Sequence, residues 1–132
     1  MSQENVEIAR GALEAFAAAD VERFLEFMDP EIEFEPHIAG VEGNYSGHDG
    51  IRAFMSDVFE PADAAVRIKQ RDIRDLGDSV LALGTFEISG GESGIEYEAP
   101  FAILAMFREA RIVHLKDYVN RTEALEAVGL SE

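Results

Sequence analysis

The sequence predicts an α+β fold, with helices first and a sheet of mainly antiparallel hairpins after them. Apolar side chains recur at helical spacing in residues 6–17, which is typical of an amphipathic helix. From residue 65 onwards, β-prone segments alternate with short turns such as Leu76-Gly77-Asp78. The length of 132 residues and the 47% hydrophobic content suit one core, so residues 1–132 are expected to form a single domain.

Two helices are predicted before the first strand. The first has an Ala-rich composition, which favours the helical state. Asp20 is a typical N-cap for the second helix, whose apolar pattern continues to Met28. That helix is expected to stop at Asp29-Pro30, because the residue before a proline avoids the helical region. A strand then follows over residues 32–35 and ends at Pro36, which lacks a backbone donor.

A third helix is predicted after a polar loop. Its apolar residues stand at helical spacing, and Asp49 lies in the first turn, where the helix dipole favours negative charge. These apolar residues are Ile51, Phe54, Met55, Val58 and Phe59. Strand, loop and helix are therefore expected in that order.

Four strands and a short helix are predicted after the third helix. The strands cover residues 65–74, 79–88, 95–107 and 111–119. A two-residue hairpin between the last two would prefer Gly or Asn, so Glu109 and Ala110 leave the turn type open. Asn120 and Glu123 have the spacing of a helix cap, and Gly129 follows the end of that helix.

The strand over residues 99–107 is apolar on both of its alternating faces. A strand covered on one side only should alternate with polar residues. If the helices cover one side, a second subunit packing against Phe101, Ile103 and Phe107 is the simplest cover for the other. The sequence therefore predicts a homodimer through the outer face of the sheet.

Composition excludes several classes of partner. The net charge of -16, from 27 acids against 11 Lys and Arg, repels phosphate backbones, so no nucleic acid and no anionic membrane is expected as a partner. No cysteine is present, and the three histidines lack the spacing of a local metal motif, so no metal site is expected. The longest apolar run is too short to span a bilayer, and the N-terminus lacks a secretory signal, which favours a cytoplasmic protein.

Two segments carry a resemblance to a known family. EFEPHIAGVEGNYSGHDGIRAFM and RIVHLKDYVNRTEALEAVGL, with the order of elements, resemble the SnoaL-like branch of the NTF2-like superfamily over nearly the whole chain. The resemblance implies an NTF2-like cone, in which helices pack on a strongly curved, mostly antiparallel sheet and enclose an apolar pocket. Its members include ketosteroid isomerases, polyketide cyclases, limonene epoxide hydrolases and proteins without catalytic activity. It implies a small apolar or cyclic ligand and no cofactor.

The resemblance can be followed residue by residue. Glu35 stands where ketosteroid isomerase keeps its proton-shuttling carboxylate, but Ala12 and Ala102 replace the two oxyanion donors of that enzyme. Loss of one such donor costs roughly 3 to 4 kcal/mol, so steroid isomerisation by that mechanism is not expected. The region around Gly84 lacks the Arg-x-Asp pair of the epoxide hydrolases. Asp117 resembles the carboxylate that hydrolases and cyclases carry on the last strand.

Asp117 also stands out without the family. Alternation places it on one strand face with Val113, Leu115 and Val119, so that a carboxylate interrupts an apolar stripe. If that face lines a pocket, desolvation should raise its pKa and suit it to proton transfer. Alternatively, Asp117 is a structural acid that accepts a loop amide, pairs with Arg121 or lies at a solvated strand end.

The other candidates surround this acid. Alternation groups Glu35 with Glu31 and Glu33, which favours solvent unless a bulge near Pro36 turns it inward. His37 and Tyr45 flank the expected pocket mouth, where each is a ligand contact or a loop cap. The remaining candidate ligand contacts are wall residues, which core packing explains equally well, namely Phe16, Phe54, Ala102 and Leu115.

Two functions remain open on the sequence. In the first, a cofactor-independent isomerase or cyclase, Asp117 takes a proton from an apolar cyclic or polyketide-like substrate. His37, Tyr45 or Glu35 then stabilises the enolate. The second is a noncatalytic ligand-binding or dimerisation module, which needs only apolar walls and a few orienting polar groups.

Overall fold

The computed structural model describes residues 2–37, 44–60, 65–90 and 96–130. Within those ranges the predicted helices and strands occur in the predicted order, and the α+β class is confirmed. A further two-residue strand, Tyr45–Ser46, lies where a loop was predicted before the third helix. The helices are α1 (Ser2–Ala17), α2 (Val21–Glu26), α3 (Gly47–Phe59) and α4 (Arg121–Ala127). The strands are β1 (Met28–Glu35), β2 (Tyr45–Ser46), β3 (Ala65–Asp75), β4 (Ser79–Ser89), β5 (Glu96–Arg108) and β6 (Arg111–Asp117).

The strands form one sheet in the order β2-β1-β6-β5-β4-β3. The pairs are antiparallel except for β1 and β6, which run parallel. Register shifts leave Lys69 of β3 and Val113 of β6 as extra residues in their ladders. Such bulges bend a strand and increase its twist, which curves the sheet. Among the described residues, no helix has the length and apolarity needed to cross a membrane.

Helices cover both faces of the sheet. On the inner face, α1, α2 and α3 pack against a cluster that includes Met28, Ile32 and Ile112. On the outer face, Ala124 and Leu125 of α4 pack against a second cluster from β4 and β5. That outer cluster consists of Leu81, Leu83, Ala102 and Leu104. Both faces of β5 are thus apolar because the chain covers both of them itself.

This packing corrects the expected subunit contact. Ile103 and Phe107 pack on the inner cluster, and Phe101 packs on a cluster formed by Leu13, Ala82 and Phe86. The assignment of Phe101, Ile103 and Phe107 to a subunit interface on the outer face is therefore wrong, because these half-buried side chains pack on the inner side of the sheet. The physical cause is α4, which packs on the outer face and covers part of it. The homodimer itself stays a prediction.

Several element boundaries differ from the prediction, and the difference at Met28 has a nonlocal cause. Helix α2 ends at Glu26, and Met28, which is 1% exposed, begins β1 because it pairs with Ile112 across the sheet. Pro30 lies inside β1, but β2 pairs only with Glu33 and Phe34, so the missing N–H of Pro30 breaks no ladder bond with β2. Strand β6 ends at Asp117 rather than at residue 119.

The turn between β5 and β6 is a two-residue hairpin. Arg108 pairs with Arg111, while Glu109 and Ala110 have φ values of 52° and 63°. Positive φ at both central residues identifies a type I′ turn, which Asn-Gly would adopt with less strain. The predicted cap of α4 is confirmed, since the Glu123 N–H donates to Asn120 Oδ1 over 2.8 Å.

Candidate functional site

A cavity of about 670 Å³ lies between the inner face of the sheet and the helices. Its walls are mainly aliphatic and aromatic, with Phe16 and Phe54 on the helical side and Leu115 on the sheet. A few polar side chains also line it, namely His37, Tyr45, Asp57, Tyr97, Asp117 and Tyr118. Mostly apolar walls with few polar groups are typical of small-molecule sites.

Asp117 lies at the end of β6, opposite Ile103 of β5. Its Oδ2 accepts the backbone N–H of His37 over 3.2 Å. Its Oδ1 is buried and has no hydrogen-bond partner among the residues described. Burial raises the pKa of Asp117 to about 6, against the smaller opposing effects of the His37 amide and the His37 charge. Asp117 thus lines the cavity, and its Oδ1 is left without a hydrogen bond to the described part of the protein.

A bulge determines which residues of β6 share the face of Asp117. Ile112 and Leu115 line the cavity with Asp117, whereas Val113 is the extra residue of the ladder. The predicted stripe is thus correct for Leu115 and wrong for Val113, because the bulge shifts the alternation before Leu115. Val119 lies beyond the strand end and is 54% exposed, although it reaches the rim of the cavity.

Glu35 lies outside the cavity lining. In β1 it stands opposite Lys116, and its carboxylate forms a hydrogen bond with His114 Nε2. Its neighbour Phe34 is 4% exposed and points into the core. No bulge at Pro36 turns Glu35 inward, so the structure does not bring it together with Asp117. Arg121 does not pair with Asp117 in any described contact either; it donates to Asp72 Oδ2 over 3.0 Å.

A tyrosine and an aspartate form a second polar region of the cavity wall. Tyr45 Oη donates to Asp57 Oδ2 over 3.1 Å. The Tyr45 ring packs against Phe34 and Phe54, with centroid separations of 6.2 and 5.4 Å. Burial, followed by the hydrogen bond to Asp57, raises the pKa of Tyr45. Sequence reasoning missed Asp57, although its position three residues after Phe54 on one helix face was an available signal.

The other predicted ligand contacts also line the cavity. Phe16 packs with Phe24, Phe54, Phe59 and Phe86. Ala102 reaches the cavity, but it is 3% exposed and packs mainly with the outer cluster. Its methyl group offers no hydrogen-bond donor. The backbone N–H of His37 is bound to Asp117, which leaves its exposed ring for other contacts.

The arrangement suits proton transfer. Among the described residues, no three His, Asp or Glu side chains come close enough to hold a metal ion. The cavity instead offers one carboxyl group whose pKa lies near neutrality, among apolar walls. A group with such a pKa can both accept and donate a proton.

Residues 9–115 match the SnoaL-like domain family. No curated protein matches the sequence. An NTF2-like protein of unknown function from Burkholderia pseudomallei is 24% identical, with a TM-score of 0.76 over 97% of this chain and 98% of that one. TerC, crystallised with polyporic acid, is 24% identical, with a TM-score of 0.76 over 95% of this chain and 97% of that one.

A candidate polyketide cyclase from Xanthomonas campestris is similar as well. It is 17% identical, with a TM-score of 0.76 over 96% of this chain and 98% of that one. At these identities the similarity to solved structures shows the fold. The NTF2-like architecture predicted from the sequence is confirmed.

Proposed function

Because the chain belongs to the SnoaL-like domain family, we propose that its cavity binds a small, mainly apolar or cyclic molecule and that Asp117 exchanges a proton with it. The observation that carries this proposal is Asp117 Oδ1, which is buried at an apolar cavity and has no partner among the described residues. A buried polar atom without a partner is costly, and a ligand atom at that position would remove the cost.

The reaction class follows from the chemistry of the carboxyl group. Ionised Asp117 would take a proton from a carbon next to a carbonyl group, and the electron pair of that C–H bond would move to the carbonyl oxygen as an enolate. The protonated acid would then return the proton to another atom of the substrate. The whole cycle is an isomerase- or cyclase-type step that needs no cofactor. Glu35 takes no part in it, since it lies outside the cavity.

A noncatalytic ligand-binding module is the second candidate. Ala12 and Ala102 stand where the sequence resemblance places the two oxyanion donors of ketosteroid isomerases, and neither side chain can donate a hydrogen bond. Without such donors an enolate is poorly stabilised, which favours binding without turnover. In this case Asp117 would orient a ligand only.

A pH-dependent binding experiment tests the proposal. Polyporic acid, with which the similar protein TerC was crystallised, is the probe for wild type and for Asp117→Asn. The affinity of wild type should change through about pH 6, and that change should disappear in Asp117→Asn, because the amide does not ionise. Glu35→Gln is the matched comparison outside the cavity and should behave as wild type. Absence of binding, or the same pH profile in Asp117→Asn, would contradict the proposal.

A second measurement separates catalysis from binding. Incorporation of deuterium next to the carbonyl group of 2-tetralone in deuterated water reports proton abstraction directly. Catalysis predicts that wild type accelerates exchange and that Asp117→Asn loses roughly 100-fold or more of the acceleration. Binding of polyporic acid without any exchange would support the noncatalytic module.

We also propose that the protein dimerises through the part of the outer sheet face that α4 leaves open. Met106 and Tyr118 are half-buried at the edge of the outer cluster, where a second copy would cover them. Light scattering should then give a mass twice the 14.5 kDa of one chain. The mass of a single chain at micromolar concentration would contradict the dimer.

A further inference from the structure

The hydrogen bond between Tyr45 and Asp57 determines the polarity of one end of the cavity. Tyr45 lies on β2 and Asp57 on α3, and both line the cavity. Tyr45 Oη lies 3.1 Å from Asp57 Oδ2. The ring of Tyr45 is held between elements, since it packs edge-on against Phe54 of α3 and stacks on Phe34 of β1. Asp57 is exposed and Tyr45 is half-buried, so the pair lies where the cavity meets solvent.

The direction of this hydrogen bond is dictated by its partner. An ionised carboxylate has no proton and only accepts, so the single hydroxyl proton of Tyr45 must point at Asp57. A phenol hydroxyl has lone pairs left after donating its proton. The Tyr45 oxygen therefore meets a molecule in the cavity as an acceptor rather than as a donor.

We propose that Tyr45, oriented by Asp57, selects ligands that carry a hydroxyl or amine donor at this end of the cavity. The inference rests on the proposed function, because it names the chemical class of the same ligand. That class is a hydroxy-substituted cyclic or aromatic molecule, rather than one with only keto or ether oxygens there. Asp57 is a positioning residue, since it acts through Tyr45.

Asp117 supports the same class of ligand. Its Oδ1 is buried and has no partner among the described residues, and in the ionised state it can only accept a hydrogen bond. Two separate points of an otherwise mainly apolar cavity thus present acceptors. A ligand with a donor or an acidic C–H at each of these points matches them both.

Two probes that differ by one donor test this inference. 2-Naphthol carries a hydroxyl group, and 2-methoxynaphthalene has the same rings with an ether in its place. Equilibrium dialysis with wild type should give about fivefold to tenfold tighter binding of 2-naphthol, the effect of one net hydrogen bond. The ratio of the two dissociation constants is the readout, because a general loss of packing would weaken both probes alike.

Three variants test whether the ratio of dissociation constants depends on Tyr45 and Asp57. Tyr45→Phe removes the hydroxyl group, keeps the ring, and should bring the ratio to about one. Asp57→Asn should also lower the ratio, because an amide can donate to the Tyr45 oxygen and release its proton. Asp49→Asn is the matched control, an exposed acid of the same helix outside the cavity lining, and should keep the wild-type ratio.

The outcomes separate this inference from the function on which it rests. A wild-type ratio near one, or a ratio that survives both Tyr45→Phe and Asp57→Asn, overturns the selection by Tyr45 while the cavity still binds. Failure of both probes to bind wild type while polyporic acid binds overturns this inference alone, whereas failure of all three ligands to bind overturns it together with the proposed function. In a third outcome, the ratio depends on Tyr45, but binding responds neither to pH nor to Asp117→Asn. This result supports the inference and contradicts the role of Asp117.

Discussion

Asp117 is the residue that combines burial, an unsatisfied oxygen and a cavity. Its position was predictable, because period-two alternation already grouped it with apolar Leu115. Alternation also placed Glu35 on the outer face, where the structure has it beside His114. Asp57 was not predicted, because its partner Tyr45 lies on another element and only the tertiary fold brings them together.

The raised pKa of Asp117 predicts a pH-dependent stability penalty. The folded state holds the proton up to about pH 6, whereas an unfolded aspartate loses it near the ordinary value of 3.8. The free energy of unfolding should therefore fall by an amount on the order of 3 kcal/mol as the pH rises between these values. Above them it should stay constant. The amide side chain of Asp117→Asn cannot ionise. Urea unfolding should therefore show that the stability of this variant relative to wild type increases from about pH 4 to about pH 7.

Asp72→Asn is the control of opposite sign. Hydrogen bonds from Arg74 and then Arg121 lower the pKa of Asp72, so its carboxylate stabilises the fold above the unfolded pKa and loses this effect as the pH falls. The variant should be less stable than wild type at neutral pH and approach it in acid. A shared rise of both variants relative to wild type with increasing pH would contradict the assignment of Asp72, and a shared fall would contradict that of Asp117.

At the scale of elements, local signals were sufficient for the helix caps and insufficient for the strand irregularities. Asp20 accepts the Arg23 N–H over 3.2 Å, as its position before the apolar pattern predicts. The bulge at Val113 and the early end of α2 depend on partners in other strands. No window of the sequence around those residues contains that information.

The end of α1 offers a prediction about backbone strain. Ala19 has a φ of 57°, and the amides of Ala19 and Asp20 donate to the carbonyls of Phe16 and Ala15, as in a Schellman motif. Glycine adopts this conformation without the steric penalty of a Cβ, so Ala19→Gly should stabilise the protein by roughly 0.5 to 1 kcal/mol.

Its neighbour supplies the matched control. Ala18 is also exposed, but its N–H still makes the helical bond to the Glu14 carbonyl. Ala18→Gly should therefore cost roughly 0.5 to 1 kcal/mol by adding freedom to the unfolded chain. Thermal unfolding of both variants is the measurement, and a loss of stability in Ala19→Gly would contradict the assigned cap.

At the scale of the whole molecule, the order of elements and the family resemblance predicted the architecture. The element that covers the apolar outer face was not predicted. A strand that is apolar on both faces needs two covers, and the sequence does not say which chain supplies them. The structure assigns the outer cover of Leu81, Leu83 and Leu104 to α4. Since α4 is only seven residues long, its sequence gives a weak signal for the face that it covers.

This assignment predicts that α4 is a structural part of the domain. Leu125 is 2% exposed within the outer cluster, so Leu125→Ala should destabilise the fold by about 2 to 5 kcal/mol through lost burial and a cavity. Val119→Ala, at a position that is 54% exposed, should stay within about 0.5 kcal/mol of wild type. Equal effects of the two changes in urea unfolding would mean that α4 does not cover the sheet.

The direct test of the proposed site is the pKa of Asp117 itself. A carbon-13 NMR titration of the side-chain carboxyl group, assigned by comparison with Asp117→Asn, measures it without any ligand. Burial at the apolar cavity predicts a midpoint of about 6. A midpoint near the ordinary aspartate value of about 4 would show that the carboxyl group is solvated, and would contradict a proton-exchanging acid in this cavity.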